Sequence, residues 1–116
     1  MPKRDATVEA LLASVGIPLA YSRFVPKKGK PVPSPPYAVY YLPVERGTGA
    51  DDGNLLVTSR VILEVYTAAP DGDLEARIEA ALNGYEWDKD EEEIEEEGLF
   101  LVTYEFKKIE KRRKDQ

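Results

Sequence analysis

Two periodicities alternate along the chain. Between Ala6 and Val15 the apolar residues Val8, Leu11, Leu12 and Val15 recur at helical spacing, which predicts a helix with one buried stripe. Asp5 or Thr7 is placed to cap its start, and Gly16 to end it in a left-handed turn. Leu19 to Val25 follows Pro18 and reads as a short extended piece. Pro26 to Pro36 holds too many prolines for a helix or a central strand and predicts an exposed, partly stiff loop.

A two-residue period then takes over. Tyr37 to Val44, YAVYYLPV, is rich in aromatic and β-branched residues and predicts a strand limited by Pro43. Glu45 to Asn54 carries three glycines and predicts a mobile polar loop. Leu55 to Thr67 is the longest predicted strand. Leu55, Val57, Val61, Leu63 and Val65 share one face, and Thr58, Arg60, Ile62, Glu64 and Tyr66 share the other. That second face is mixed rather than polar, so a packed loop or another subunit is expected over Ile62 and Tyr66.

The helical spacing returns at Leu74, Ile78, Ala81 and Leu82, with Asp71 or Asp73 as cap and Asn83-Gly84 as terminator. In Leu99 to Ile109, Phe100, Val102, Tyr104 and Phe106 alternate toward one face and predict a final strand. Antiparallel strands need a second layer over their apolar face, and the two helices supply it. The expected fold is therefore α+β: an antiparallel or mixed sheet of about four to five strands covered by two helices. It forms a single domain, with a flexible N-terminus (1–5) and a frayed basic C-terminal tail (107–116).

Between the second helix and the last strand lies DKDEEEIEEEG, Asp88 to Gly98, with eight carboxylates in eleven residues. A catalytic carboxylate pair needs burial to separate its pKa values, and a segment with Ile94 as its one apolar residue offers little. The spacing also lacks the glycine and closing glutamate of a calcium-binding loop. The run reads best as an exposed edge strand whose charges discourage foreign pairing, or as an acidic contact surface. Two registers against the last strand remain open. One sets Ile94 opposite Phe100 and turns Glu92 and Asp90 toward the core, and a one-residue slip turns Ile94 outward. In either register the early acids lie near the basic tail and are expected to pair with it weakly.

Composition narrows the chemistry. The chain has 116 residues with neither cysteine nor histidine, so disulfides, thiolate nucleophiles and imidazole bases are excluded. A conventional hydrolytic triad therefore cannot be built around any of its serines. The net charge of -6 argues against a general nucleic-acid-binding surface. Neither an apolar stretch of roughly 20 residues nor a secretory apolar region is visible, so no membrane span is expected. Gly47 to Gly53 lacks both the GxGxxG and the P-loop patterns. No cofactor, metal or catalytic residue is expected.

TVEALLASVGIPLAYSRF, PPYAVYYLP, ADDGNLLVTSRVILEVYT, LEARIEAALNG and LFLVTYEF together resemble small tail-assembly proteins of long-tailed phages and prophages. The likeness runs from Thr7 to Phe106 and is carried by Gly16-Ile17-Pro18, Pro35-Pro36-Tyr37 with Tyr40, Tyr66-Thr67 and Tyr104-Glu105-Phe106. It implies a non-enzymatic tail-terminator or tail-completion protein with a helix-covered sheet. Such a protein forms a ring, commonly a hexamer, on the head-proximal end of the tail tube, stops its growth and prepares head joining. The implied partners are other copies, tail tube protein and head-tail connector proteins, with DNA passing through without specific binding; the implied location is the virion tail, and the host cytoplasm during assembly. A head-tail connector or neck component and a non-viral acidic binding module are the rival readings. Interface residues expected on this reading are Pro35, Pro36, Tyr40, Asp51, Asp52, Arg60, Ile62 and Tyr66. Glu91, Glu92, Glu93, Glu95, Glu96 and Glu97 are the expected acidic surface, or the lining of the ring, where carboxylates would repel passing phosphates. The tail KKIEKRRKDQ is longer and more basic than the family leads one to expect.

Overall fold

The structure is a computed structural model that describes residues 4–29, 31–49 and 53–113, the last by its backbone alone. Asp5 Oδ1 accepts a hydrogen bond from the Val8 N–H at 2.9 Å and starts α1 (Ala6–Leu12). A 3-10 turn over Ala13–Val15 continues the helix to Gly16, whose φ of 81° ends it. The chain then forms β1 (Leu19–Tyr21), β2 (Tyr37–Gly49) and β3 (Asn54–Thr67). Asp71, bonded to the Leu74 N–H at 3.0 Å, caps α2 (Gly72–Ala81), and β4 (Trp87–Ile94) and β5 (Leu99–Arg113) complete the fold.

The strands form one mixed sheet in the order β1-β2-β3-β5-β4, with β1 parallel to β2 and the other pairs antiparallel. This is the expected α+β arrangement. Both helices lie on one face, where Val8, Leu12, Val15, Leu74, Ile78 and Leu82 pack on Ala38, Tyr40, Val61, Leu63, Val65, Val102, Tyr104 and Phe106. The alternation in β3 puts Val57, Val61, Leu63 and Val65 on this face, as its period requires.

Three sequence expectations fail in one place. Pro43 does not end β2: the register shifts between Tyr41 and Val44, and this bulge absorbs the residue that cannot donate to the ladder. The predicted loop Glu45 to Asn54 is mostly strand, because Glu45 to Gly49 pair with Leu55 to Ser59. The basic tail is not frayed either, since residues 107–113 pair with residues 54–60 of β3. Each segment supplies a partner the others lack, so three weak strands become a three-stranded arm. Gly47 allows the close approach within it, as a Cβ there would sit 3.2 Å from Leu55 Cδ1. At about 3.3 Å per residue the 15-residue β5 runs the length of the molecule, whose longest extent is 51 Å.

Candidate assembly surface

The face of the sheet away from the helices carries rows of side chains set by strand register. Tyr37, Tyr66 and Leu101 form one row; Tyr41, Ile62 and Glu105 form another. Farther along come Val44, Arg60 and Lys107, then Arg46, Thr58 and Ile109, then Thr48, Leu56 and Lys111. Among the described residues no helix covers this face. Near the centre of the sheet its side chains cover one another: Tyr37 stacks on Tyr66 at 5.1 Å, Phe24 meets Tyr37 edge-on, and Tyr41 and Tyr66 approach the Glu64 carboxylate. Burial first, and then Glu64, push the Tyr66 hydroxyl above its ordinary pKa.

On the arm that mutual cover is missing. Val44 is 40% exposed, Leu56 38% and Ile109 70%, all on the same face and within three adjacent rows. Single exposed apolar residues are ordinary, whereas a group of them on one face is the feature of a contact surface. Arg60 stands beside them, 3.9 Å from Glu105, and its buried Nε has no hydrogen-bond partner.

The expected interface residues separate into distinct groups. Arg60 and Tyr66 lie on the helix-free face, Pro36 is exposed and Pro35 half-buried in the loop before β2. Ile62 is on that face too but only 7% exposed, so the subunit's own side chains already cover it. Tyr40 is a core residue and not a contact residue, because its place in β2 points it at α1, where it is fully buried. Its hydroxyl accepts from the Asp5 N–H and donates to Glu9, each at 2.7 Å. Asp51 and Asp52 lie outside the described residues.

β4 takes the slipped register, with Trp87 opposite Phe106, Glu91 opposite Val102 and Ile94 opposite Leu99. The reason lies at Lys89. This register turns Trp87 and Lys89 toward the helices, where Lys89 Nζ reaches Glu79 at 2.9 Å and Glu75 at 3.0 Å and lies 5.9 Å from the Trp87 and Tyr104 ring centroids. The hydrogen bond to Glu79 and then that to Glu75 push the lysine up to about 12. A 3-10 turn over Glu95–Glu97, ended by Gly98 at φ 65°, makes the connection to β5. Glu91 and Glu93 thus lie on the helix side, Glu92 on the bare side, and Glu95 to Glu97 at the tip. A cavity of about 260 Å³ beside α2 has Val65, Leu74 and Val102 in its wall and Glu75, Glu91 and Glu93 at its rim. Asp71 caps α2 and borders the same cavity as Glu75, Glu91 and Glu93, whereas Asp73 is exposed in the first turn of α2.

Among the described residues the acidic run and the basic tail do not pair within the subunit. β4 covers β5 only as far as Phe106, so residues 107–113 extend past it with no strand on their outer side among the described residues. The edge therefore has a step, and an open notch of about 710 Å³ lies there, bordered by Trp87, Asp88, Glu105, Lys107 and Ile109. Among the described residues, no ion pair joins Asp88, Asp90, Glu91, Glu92 or Glu93 to a cation.

The sequence reading missed Lys108. It is 3% exposed, and its Nζ lies 3.1 Å from Asp5 and 3.0 Å from Glu110, tying β5 to the start of α1. Asp5 is accordingly an anchored helix cap and not part of a flexible terminus. The available signal was the alternation of Tyr104, Phe106 and Lys108, which continues the core face one step past the last apolar residue. No helix among the described residues is long and apolar enough to cross a membrane. No protein-family model matches the chain, and no curated protein matches it.

Proposed function

We propose that this chain is a non-enzymatic virion-assembly subunit of the tail-terminator or tail-completion kind. Copies form a ring, a hexamer in the commonest arrangement, at the head-proximal end of a tail tube; the ring ends tube growth and offers a surface for head joining. The observation that carries this reading is the three-stranded arm with Val44, Leu56 and Ile109 exposed on one face that no described helix covers. Such a face suits contacts with other copies and with the tube, and it needs no reactive group. The resemblance along Thr7 to Phe106 supplies the kind of assembly. On this reading the exposed glutamates of β4 and of the turn Glu95–Glu97 at the tip of the sheet would face the DNA path and repel it.

Electron microscopy of tube protein polymerised with and without the chain tests the reading. Density at one end only of each tube supports termination. Tubes with no bound density refute it, and binding to connector protein without binding to tubes favours a neck component instead. The bare acidic edge favours a second reading, a module offering carboxylates to a basic protein. That module would bind its partner in a salt-sensitive complex and would leave tubes untouched.

A further inference from the structure

The stepped edge of the sheet is complementary to itself. β4, with 8 residues, protrudes beyond β5 over one part of its length, and residues 107–113 leave a recess of nearly the same length beyond it. We propose that two copies of this chain join through this step, each laying its acidic β4 along residues 107–113 of the other, to give a two-fold dimer with one sheet running through both.

Sheet geometry fixes how the copies meet. The free edge of β4 faces away from its own β5, and a half-rotation of a second copy about the sheet normal brings that edge to the second copy's recess. The half-rotation makes the contact reciprocal: whatever one copy inserts, the other inserts as well. It also keeps the helices of both copies on one side and runs each β4 parallel to the β5 segment it meets, with the two Trp87 ends adjacent at the axis.

Charge selects this pairing over its alternatives. On the bare face Asp88 and Glu92 of one copy come beside Lys107 and Lys111 of the other, with Asp90 between them. These carboxylates have no cation partner among the described residues of their own subunit. Acidic strand against acidic strand would repel, so the β4 edge is closed to its own kind and open to a basic strand. The dimer stands apart from the tube-end reading, since it forms between free subunits and covers only Ile109 at the edge of the arm, leaving Val44 and Leu56 exposed.

Sedimentation of the full chain tests the proposal. At about 100 µM and low ionic strength the wild type should have twice the 13.0 kDa subunit mass, and salt near 1 M should dissociate it. Lys107→Glu with Lys111→Glu should weaken the dimer by more than about tenfold, as should Asp88→Lys with Glu92→Lys. These four positions are exposed, so circular dichroism should be unchanged. An equimolar mixture of the two double variants should restore a dimer, because each then meets its opposite charge at both contacts. A monomeric wild type, a dimer indifferent to either reversal, or a mixture that stays monomeric would each overturn the proposal. Tube binding is read separately, so a failed cap with an intact dimer, or the reverse, tells the two readings apart.

Discussion

Tyr40 and Tyr104 flank Leu63 in one row across the sheet, and each donates its hydroxyl proton to a helix glutamate at 2.7 Å, Tyr40 to Glu9 of α1 and Tyr104 to Glu79 of α2. Both tyrosines are fully buried, so each hydroxyl needs that partner. The pair fixes where the two helices sit on the sheet.

The two hydroxyls should differ in worth. Tyr104→Phe leaves Glu79 with Lys89 and should cost about 1 kcal/mol; Tyr40→Phe also strips the Asp5 N–H of its acceptor and should cost about 2 kcal/mol. Urea unfolding of the two variants measures the difference.

Removing Lys108 should be more damaging. Lys108→Ala leaves Asp5 and Glu110 without their shared cation and opens space under α1, which should cost about 2–4 kcal/mol. By the same logic Asp5→Ala should cost more than the about 1 kcal/mol expected for the cap Asp71→Ala, since Asp5 has a second role. Amide exchange in α1 should rise for Lys108→Ala and Asp5→Ala, and thermal melts rank the three variants.

Stability should fall at both ends of the pH scale. Arg4 and then Tyr40 hold the Glu9 carboxyl below its ordinary 4.5, and Lys89 and then Tyr104 do the same for Glu79. A depressed folded pKa favours folding above 4.5, and that contribution is lost as the pH drops below it. Burial, followed by the neighbouring carboxylates, raises the Tyr40 and Tyr104 hydroxyls above 10. The unfolded chain ionises first there, so stability declines as the pH climbs past 10, and the Lys89 contribution goes as it passes about 12. Urea midpoints across pH should show a neutral plateau with these two flanks.

The apolar periods made the core legible in the sequence. Val8, Leu12 and Val15, Leu74, Ile78 and Leu82, and the alternating residues of β3 and β5 all lie where their spacing puts them. The arm was not legible, because none of its strands is convincing alone: Glu45 to Gly49 are polar and glycine-rich, and residues 107–113 are mainly charged. Their strand state comes from pairing with the first half of β3, a long-range effect that local propensity does not contain. Tyr40 was misplaced for a related reason, since an aromatic in a strand reads alike on either face until its neighbours are known. The register of β4 was decided by Lys89 and Trp87, whose partners lie on α2 and β5.

The exposed apolar face of the arm should matter for assembly and not for folding. Leu56→Lys with Ile109→Lys should cost no more than about 1 kcal/mol and leave the fold intact, because both side chains are already partly exposed, although Leu56→Lys faces Lys111. The same variant should bind tubes far less, as read by co-sedimentation.

Tube length is the most direct test of the proposed tube-end role. With increasing amounts of the wild-type chain added during polymerisation, the mean length of tubes in electron micrographs should fall steadily, and the Leu56→Lys, Ile109→Lys variant should leave it unchanged. Lengths that do not respond to the wild-type chain at any ratio would contradict the tube-end role.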